Sequence, residues 1–95
     1  MVHYILYKAP IHLETIHIVQ YLHSLGINIW PQYCIERNHP AWVSSLPTIE
    51  TADGTRYIGL DACIQFFESE TGIHDLLQKA TEFKRINPEY RINRF

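Results

Sequence analysis

The chain contains little sulfur: its 95 residues include two cysteines, Cys34 and Cys63, and one methionine. The cysteines lie far apart in the sequence and form no C-x-x-C pair, so they predict no disulfide framework. Because a free cysteine is usually a small buried side chain, we expect both thiols to lie in the core. A cytoplasmic or other reducing intracellular compartment is therefore expected.

Clusters of catalytic or metal-binding residues are also missing from the sequence. The glycines stand alone at positions 26, 54, 59 and 72 and form no phosphate-binding loop. The histidines include no i,i+4 pair and do not cluster with the cysteines, so no metal site is predicted. Carboxylates such as Glu14, Glu36 and Glu50 are scattered, and their spacing predicts no acid–base pair.

Neither a secretory leader nor a membrane segment is expected. The residues after Met1 have the pattern of a strand, with no charged n-region or cleavage site. No apolar run approaches the length of a membrane span. The net charge is −2 with histidine neutral, which predicts no general attraction to nucleic acid or to anionic lipid. We therefore expect no nucleic-acid partner and no membrane partner.

The composition that remains is typical of one folded domain. Apolar residues make up 46% of the sequence and charged residues 19%, which distinguishes the chain from a disordered one. Six Tyr, four Phe and two Trp are many aromatic residues for this length. Some of these rings should remain at the surface, where aromatic side chains favour contacts with a partner protein.

The spacing of apolar and turn-forming residues predicts four strands and four helices. The predicted strands are 2–7, 27–35, 48–51 and 56–58, and the predicted helices are 41–44, 60–69, 73–84 and a first helix that begins near 11–13 and ends at 25. The first strand is apolar enough to be buried on both faces. Pro31 places at least part of the second strand at an edge or a bulge.

Each long helix has a predicted apolar stripe. The stripes are Leu13, Ile16, Ile18, Val19, Leu22 and Leu25 on the first helix, Cys63, Ile64 and Phe67 on the helix after the hairpin, and Leu76, Leu77, Ala80 and Phe83 on the last. A right-handed crossover through the first helix makes the first two strands parallel, and the hairpin adds two antiparallel strands.

Residues 46–61 carry the strongest local signals. Asp53-Gly54 between two β-prone runs predicts a primed hairpin turn, in which Gly tolerates a positive φ and Asp approaches one. Pro47 donates no backbone hydrogen bond, so it belongs at a strand start or an edge. Gly59 leads into the next helix, where Asp61 is expected to accept hydrogen bonds from free backbone N–H groups and to complement the helix dipole.

This succession of proline, strand, hairpin, glycine and acidic-capped helix resembles the second half of a glutaredoxin and the N-terminal domain of a glutathione S-transferase, both in the thioredoxin superfamily. The resemblance covers roughly residues 2–85. It implies an α/β, thioredoxin-like four-stranded mixed sheet with helices on both faces, in the order β-α-β-α-β-β-α plus a C-terminal helix. It also implies a cis bond before Pro47, a glutaredoxin-like domain over 1–85 and a tail over 86–95.

The redox cysteines of that family are absent here. Glutaredoxins carry them where the first strand meets the first helix, because a helix N-terminus lowers the pKa of a thiol. Counted back from Gly26, the nucleophilic position falls near His12 and the resolving position near Thr15, and neither residue is a thiol. The resemblance therefore implies a degenerate site at His12 and Thr15 that cannot carry out ordinary thiol–disulfide exchange.

Glutathione binding is a separate question from redox chemistry. The resemblance implies that the backbone of Leu46 beside Pro47 would pair with the tripeptide. It also implies that Asp61 and the helix N-terminus after Gly59 would hold the γ-glutamyl end. A purely architectural role for the same four residues is the alternative, because a proline before a strand and an acidic helix start also serve folding.

The expected function is that of a redox-inactive, glutaredoxin-like protein acting as a structural or protein–protein interaction component of a larger assembly. A minor structural protein of a large virus particle is one such setting. Residues 79–95 hold five Lys/Arg against two Glu, which makes the tail 86–95 a candidate contact or, alternatively, a loose solvated end. The other hypotheses are a glutathione-dependent thiol transferase with a non-standard site and a decoy that occupies the surface of a thioredoxin-fold partner.

Overall fold

The computed structural model describes residues 3–9, 12–34 and 39–92. The elements in those ranges are β1 (Tyr4–Lys8), α1 (Leu13–Ser24), β2 (Pro31–Tyr33), β3 (Thr48–Thr51), β4 (Arg56–Ile58), α2 (Leu60–Thr71) and α3 (Leu76–Ile86). Residues 2, 11, 35 and 93–95, which belong to the predicted elements and tail, lie outside the described residues, as does Glu36.

The four strands form one mixed sheet in the order β2-β1-β3-β4. β1 pairs in parallel with β2 and antiparallel with β3, which in turn pairs antiparallel with β4. The predicted strand directions are therefore confirmed. Pro31 lies in the outer strand β2, so its missing N–H removes no hydrogen bond from the middle of the sheet.

The second strand is much shorter than predicted. It covers three residues, whereas residues 27–30 are irregular. The end of α1 accounts for part of this difference. Gly26 N–H donates to the His23 carbonyl oxygen at 3.0 Å and Ile27 N–H donates to that of Leu22 at 2.9 Å, a Schellman arrangement. The N–H of Ile27 thus closes the helix and is not available to the sheet.

All three helices in the described ranges pack on one face of the sheet. Leu6 of β1 and Ile49 of β3 are paired neighbours on that face. The buried helix residues that contact this layer are Ile18, Val19, Leu22, Cys63, Phe66, Phe67, Leu76 and Ala80. Burying one large aliphatic side chain contributes about 1.5–3 kcal/mol, so this layer is the main source of stability.

The opposite face has no helix within the described ranges, and the prediction of helices on both faces is wrong there. Tyr7, whose side chain points away from the helices, packs with Cys34, Val43 and Trp42. The predicted helix 41–44 is only a turn, closed by a hydrogen bond of 3.0 Å from Val43 N–H to the Pro40 carbonyl oxygen. The short segment between two prolines leaves no room for successive i→i−4 hydrogen bonds.

The ends of the other elements also depart from the predictions. Leu13 and Leu25, at the two ends of the first predicted stripe, are exposed. Ile5 is exposed too, so β1 is buried on both faces only from Leu6 onward. α2 extends two residues beyond the predicted end, to Thr71.

α3 begins at Leu76, later than predicted. The carboxylate of Glu68 accepts the N–H of Leu76 at 3.0 Å and so satisfies one of the free donors at the helix start. The helix ends at Ile86, and the predicted stop at Asn87-Pro88 is confirmed. None of the helices in the described ranges has the length and apolarity needed to cross a membrane.

The hairpin strands have the predicted boundaries, but the turn between them differs. Thr51 N–H donates to the Thr55 carbonyl oxygen and Gly54 N–H donates to that of Thr51, both at 2.9 Å. Gly54 has φ +90°, whereas Asp53 is not among the described residues with positive φ. The connection is thus a three-residue loop ending in a left-handed glycine, and not a two-residue primed turn.

Candidate functional site

The structure brings His12 and Thr15 together where β1 leads into α1. His12 is the N-cap residue of α1, and its ring atom Nδ1 lies 3.4 Å from the Thr15 backbone nitrogen, which donates to it. The hydroxyl of Thr15 donates to the His12 carbonyl oxygen at 2.9 Å. The Thr15 hydroxyl also lies 3.0 Å from His12 Nδ1. Both side chains therefore serve the start of the helix, and the buried hydroxyl of Thr15 gives its proton to the backbone of His12.

Lys8, the last residue of β1, is the unexpected member of this corner. Its side chain is only 1% exposed, and its Nζ donates to the Ala9 carbonyl oxygen at 2.7 Å. Burial lowers the pKa of Lys8 to about 8. The sequence did not predict this burial, because the side chain of a lysine at the end of an apolar strand is normally exposed to solvent.

The two thiols lie on opposite faces of the sheet. Cys63 of α2 is 2% exposed in the helix-covered layer, and Cys34 is 7% exposed in the layer around Tyr7. The expected burial of both cysteines is confirmed. Burial raises the pKa of Cys63 to about 12 and also raises that of Cys34. Neither thiol is a nucleophilic thiolate near neutral pH.

Three of the four residues implied by the glutathione resemblance meet at one edge of the domain. The Leu46–Pro47 peptide bond is cis, as the resemblance implies. The Pro47 carbonyl oxygen accepts the N–H of Gly59 at 3.0 Å, which joins the start of β3 to the start of α2. Leu46 is half-buried beside the Tyr7 cluster, so its side chain anchors this edge to the sheet.

Asp61 lies on the same helix start but does not cap it. Gly59 is the N-cap residue of α2 and has no side chain, and within the described residues no hydrogen bond joins the Asp61 carboxylate to the backbone. Asp61 is exposed in the first turn, where its charge complements the helix dipole. The expectation that it satisfies free backbone N–H groups is therefore wrong.

This edge combines two groups suited to an amino-acid end of a ligand. The first turn of α2 presents backbone N–H groups without intrahelical partners, which suit a carboxylate. The exposed carboxylate of Asp61 suits an ammonium group. Within the described residues, no group of three or more His, Cys, Asp or Glu side chains could hold a metal ion.

An aromatic–guanidinium contact on the helix-free face was also missed by the sequence reasoning. The Arg56 guanidinium lies 3.7 Å from the Trp42 ring centroid, and its Nε donates to the Glu50 carboxylate at 3.0 Å. Glu50 and Arg56 are directly paired across the hairpin, so the hairpin register could have predicted their ion pair. Trp42 could not be placed, because it was assigned to a helix that does not form.

No protein-family model, curated protein or solved structure matches this chain.

Proposed function

We propose that the chain is a redox-inactive, glutaredoxin-like member of the thioredoxin superfamily that acts as a structural or protein–protein interaction component of a larger assembly. A minor structural protein of a large virus particle is one such setting. The observation that carries the proposal is the state of the thiols: both are buried with a raised pKa, while His12 and Thr15 occupy the strand–helix corner.

The sheet topology supports the glutaredoxin-like arrangement. A parallel β1–β2 pair joined through α1, an antiparallel hairpin on the other side of β1, and a helix directly after Gly59 follow the order that the resemblance implies. The difference is the segment over 39–46, which takes the place of a helix on the second face.

The sheet face on which no described helix packs supports an interaction role. Ile5 and Ile58 are 45% and 55% exposed. Ile5 of β1 pairs with Glu50 of β3, and Ile58 lies two residues after Arg56 in β4. Both apolar side chains therefore lie near the Glu50–Arg56 ion pair, a mixture common at protein interfaces.

The end of the chain is a second proposed contact. A hydrogen bond of 2.5 Å joins the Tyr90 hydroxyl oxygen and His23 Nδ1. The ring centroids of Tyr90 and Phe83 are 5.1 Å apart. Ile92 packs against the main core. These contacts hold the described part of the tail on α1 and α3, and they leave the exposed Arg91 available to a partner.

Two measurements test this proposal. In a coupled assay with glutathione and a small disulfide, we expect turnover no faster than buffer; sustained turnover would contradict the redox-inactive role. In native complexes purified from the source cells, Ile58→Arg should reduce recovery of the associated subunits, whereas Ser69→Arg, on an exposed position of α2, should not. Equal recovery with both variants would remove the sheet face from the proposal.

The alternative function is glutathione binding without redox chemistry at Leu46, Pro47, Gly59 and Asp61. The observation that favours it is the Pro47–Gly59 hydrogen bond, which holds the backbone of the first three residues beside the exposed Asp61 carboxylate. A glutathione-dependent thiol transferase would need the same edge and an activating group for the glutathione thiol.

A further inference from the structure

A cavity of about 420 Å³ opens at the hairpin end of the domain. Thr51, at the end of β3, and Asp53 of the turn contribute to its lining. Pro47 precedes the other end of β3, so this cavity is separate from the Pro47 edge. Its volume falls within the range of small-ligand sites, roughly 300–1,000 Å³.

One wall of the cavity is aromatic. Phe66 of α2 and Tyr57 of β4 line it, and their ring centroids are 5.0 Å apart. Tyr4 packs behind them, with its ring centroid 5.2 Å from that of Phe66. Phe66 is only 3% exposed, so the wall is held in place by the core. Aromatic rings of this kind attract cations through the negative potential of their faces.

Two carboxylates, from Asp53 and Glu70, also line the cavity. Asp53 accepts the Thr55 N–H at 3.1 Å and the hydroxyl of Thr51. These hydrogen bonds lower the pKa of Asp53 and fix its carboxylate in the turn. A fixed negative charge therefore belongs to the lining of the cavity at neutral pH.

Glu70 has no evident task in folding. It lies in the last turn of α2, where a negative charge opposes the helix dipole and no basic residue offsets it. Its neighbour Glu68 caps α3, but no hydrogen bond or ion pair between described residues uses the Glu70 carboxylate. Glu70 lines the same cavity as Phe66 and Tyr57. Burial and, second to it, the charge of Glu70 raise the pKa of Tyr4, whose ring packs on Phe66.

We propose that this cavity binds a guanidinium group. A guanidinium is planar, stacks on aromatic rings and donates to carboxylates, whereas an ammonium offers only a compact point charge. The described residues that line the cavity include one basic side chain, His3, and no lysine or arginine to neutralise the two carboxylates. The same combination of ring, guanidinium and carboxylate already occurs within the domain, where Arg56 lies over Trp42 and pairs with Glu50.

The guanidinium can come from an arginine side chain in a polypeptide or from free arginine, and the site distinguishes these sources. Free arginine carries an α-carboxylate and an α-ammonium, and both charges lose hydration when they approach a cavity with an aromatic wall. A blocked arginine, with its ends acetylated and amidated, carries neither charge. We therefore expect the blocked form to bind several-fold more tightly than free arginine. Equal or tighter binding of free arginine would assign the site to the small molecule and overturn its use for polypeptide arginine.

The experiment is a titration of the full chain followed by two-dimensional NMR. The probe is Nα-acetyl-arginine methylamide, and the matched control ligand is the citrulline analogue, which has nearly the same shape but no charge. We expect saturable shifts centred on Asp53, Thr55 and Tyr57, with roughly tenfold weaker binding of the citrulline analogue. No saturable shifts, equal affinity of the two ligands, or shifts centred on Asp61 would each overturn the proposal.

Two variants separate a local effect from a general charge effect. Glu70→Gln keeps the shape of the side chain and should weaken arginine binding roughly tenfold. Glu82→Gln, at an exposed position of α3 that does not line the cavity, makes the same change in net charge and should leave the affinity unchanged. If both variants weakened arginine binding equally, the cause would be the net charge of the protein and not the cavity, and the proposal would be overturned.

Discussion

The backbone N–H of Gly59 donates a hydrogen bond of 3.0 Å to the carbonyl oxygen of Pro47. This contact connects the residue before β3 with the residue before α2, although eleven residues of hairpin separate them. The start of β3 and the start of α2 are therefore held together by this hydrogen bond. The same bond fixes the relative positions of the residues at the candidate glutathione edge.

Replacing Gly59 with alanine tests how far this junction depends on backbone conformation. Gly59 has φ +93° and ψ 165°, a backbone region confined almost entirely to glycine, and a Cβ added there would meet no atom within 4 Å. The expected loss of about 1–3 kcal/mol in the free energy of unfolding is therefore backbone strain and not a clash with neighbouring residues. Urea unfolding measures it. Ser69→Ala, at an exposed helical position of α2, is the control, and an equally small effect of both substitutions would contradict the prediction.

A cysteine placed at the strand–helix corner should be reactive. In His12→Cys the new thiol lies at the N-terminus of α1, where the helix dipole lowers a thiol pKa. In Ser24→Cys it lies at the C-terminus of the same helix, where the dipole acts in the opposite sense. Alkylation by iodoacetamide at neutral pH, followed by mass spectrometry, should be roughly threefold to tenfold faster in His12→Cys.

The parent protein is the baseline for that measurement, because its buried thiols should react only after denaturation. A slower rate in His12→Cys than in Ser24→Cys would show that the corner no longer has the geometry of a thiol site.

Lys8→Met should remove a pH-dependent part of the stability of the protein. Near pH 7 Lys8 is charged in both states, and burial penalises the charge in the folded state. The free energy of unfolding of Lys8→Met minus that of the parent should be larger at pH 7 than at pH 10 by about 1–3 kcal/mol. Between the folded pKa of about 8 and an unfolded value of about 10.4, the unfolded parent binds more protons than the folded parent.

The stability of the parent therefore rises over that pH range, and the stability of Lys8→Met relative to the parent should fall toward pH 10. Chemical denaturation at several pH values measures this. Lys79→Met, at an exposed position of α3, reports the effect of removing a surface positive charge. A stability difference that does not change with pH would contradict the burial of a charged Lys8.

Glutathione should give saturable amide shifts around residues 46–61 if the Pro47 edge is a binding site. Asp61→Asn should then weaken binding several-fold, because it removes the carboxylate that faces the ammonium end. Asp75→Asn is the matched control: it removes the same charge from the start of α3, and asparagine tolerates the left-handed backbone of that position. Unchanged spectra would leave the edge with an architectural role alone.

Local signals predicted the structure well where neighbouring residues determine it. The strands over 48–51 and 56–58, the start of α2 at Leu60 and the stop after Ile86 depend on a turn, a glycine and a proline within a few residues. The middle of α1 was also predicted, because Val19 and Leu22 are spaced at a helical period and face the core.

The predictions failed where distant residues decide the outcome. The segment 41–44 has helix-compatible residues, but it packs Trp42 and Val43 on Tyr7 from a nonhelical backbone. Ile27 was assigned to a strand and instead closes α1. The burial of Lys8 depends on how the corner folds around it, which no periodicity in the sequence reveals. The cavity beside Phe66 arises from three separate elements and had no sequence signal.

The two outer strands are each only three residues long. An incoming strand could therefore form very few main-chain hydrogen bonds at either border of the sheet. Growth of the sheet from one molecule into the next is disfavoured by this brevity, even though the domain exposes apolar side chains. In the proposed assembly, recognition would then depend on the shape and chemistry of the side chains more than on continuation of the backbone ladder.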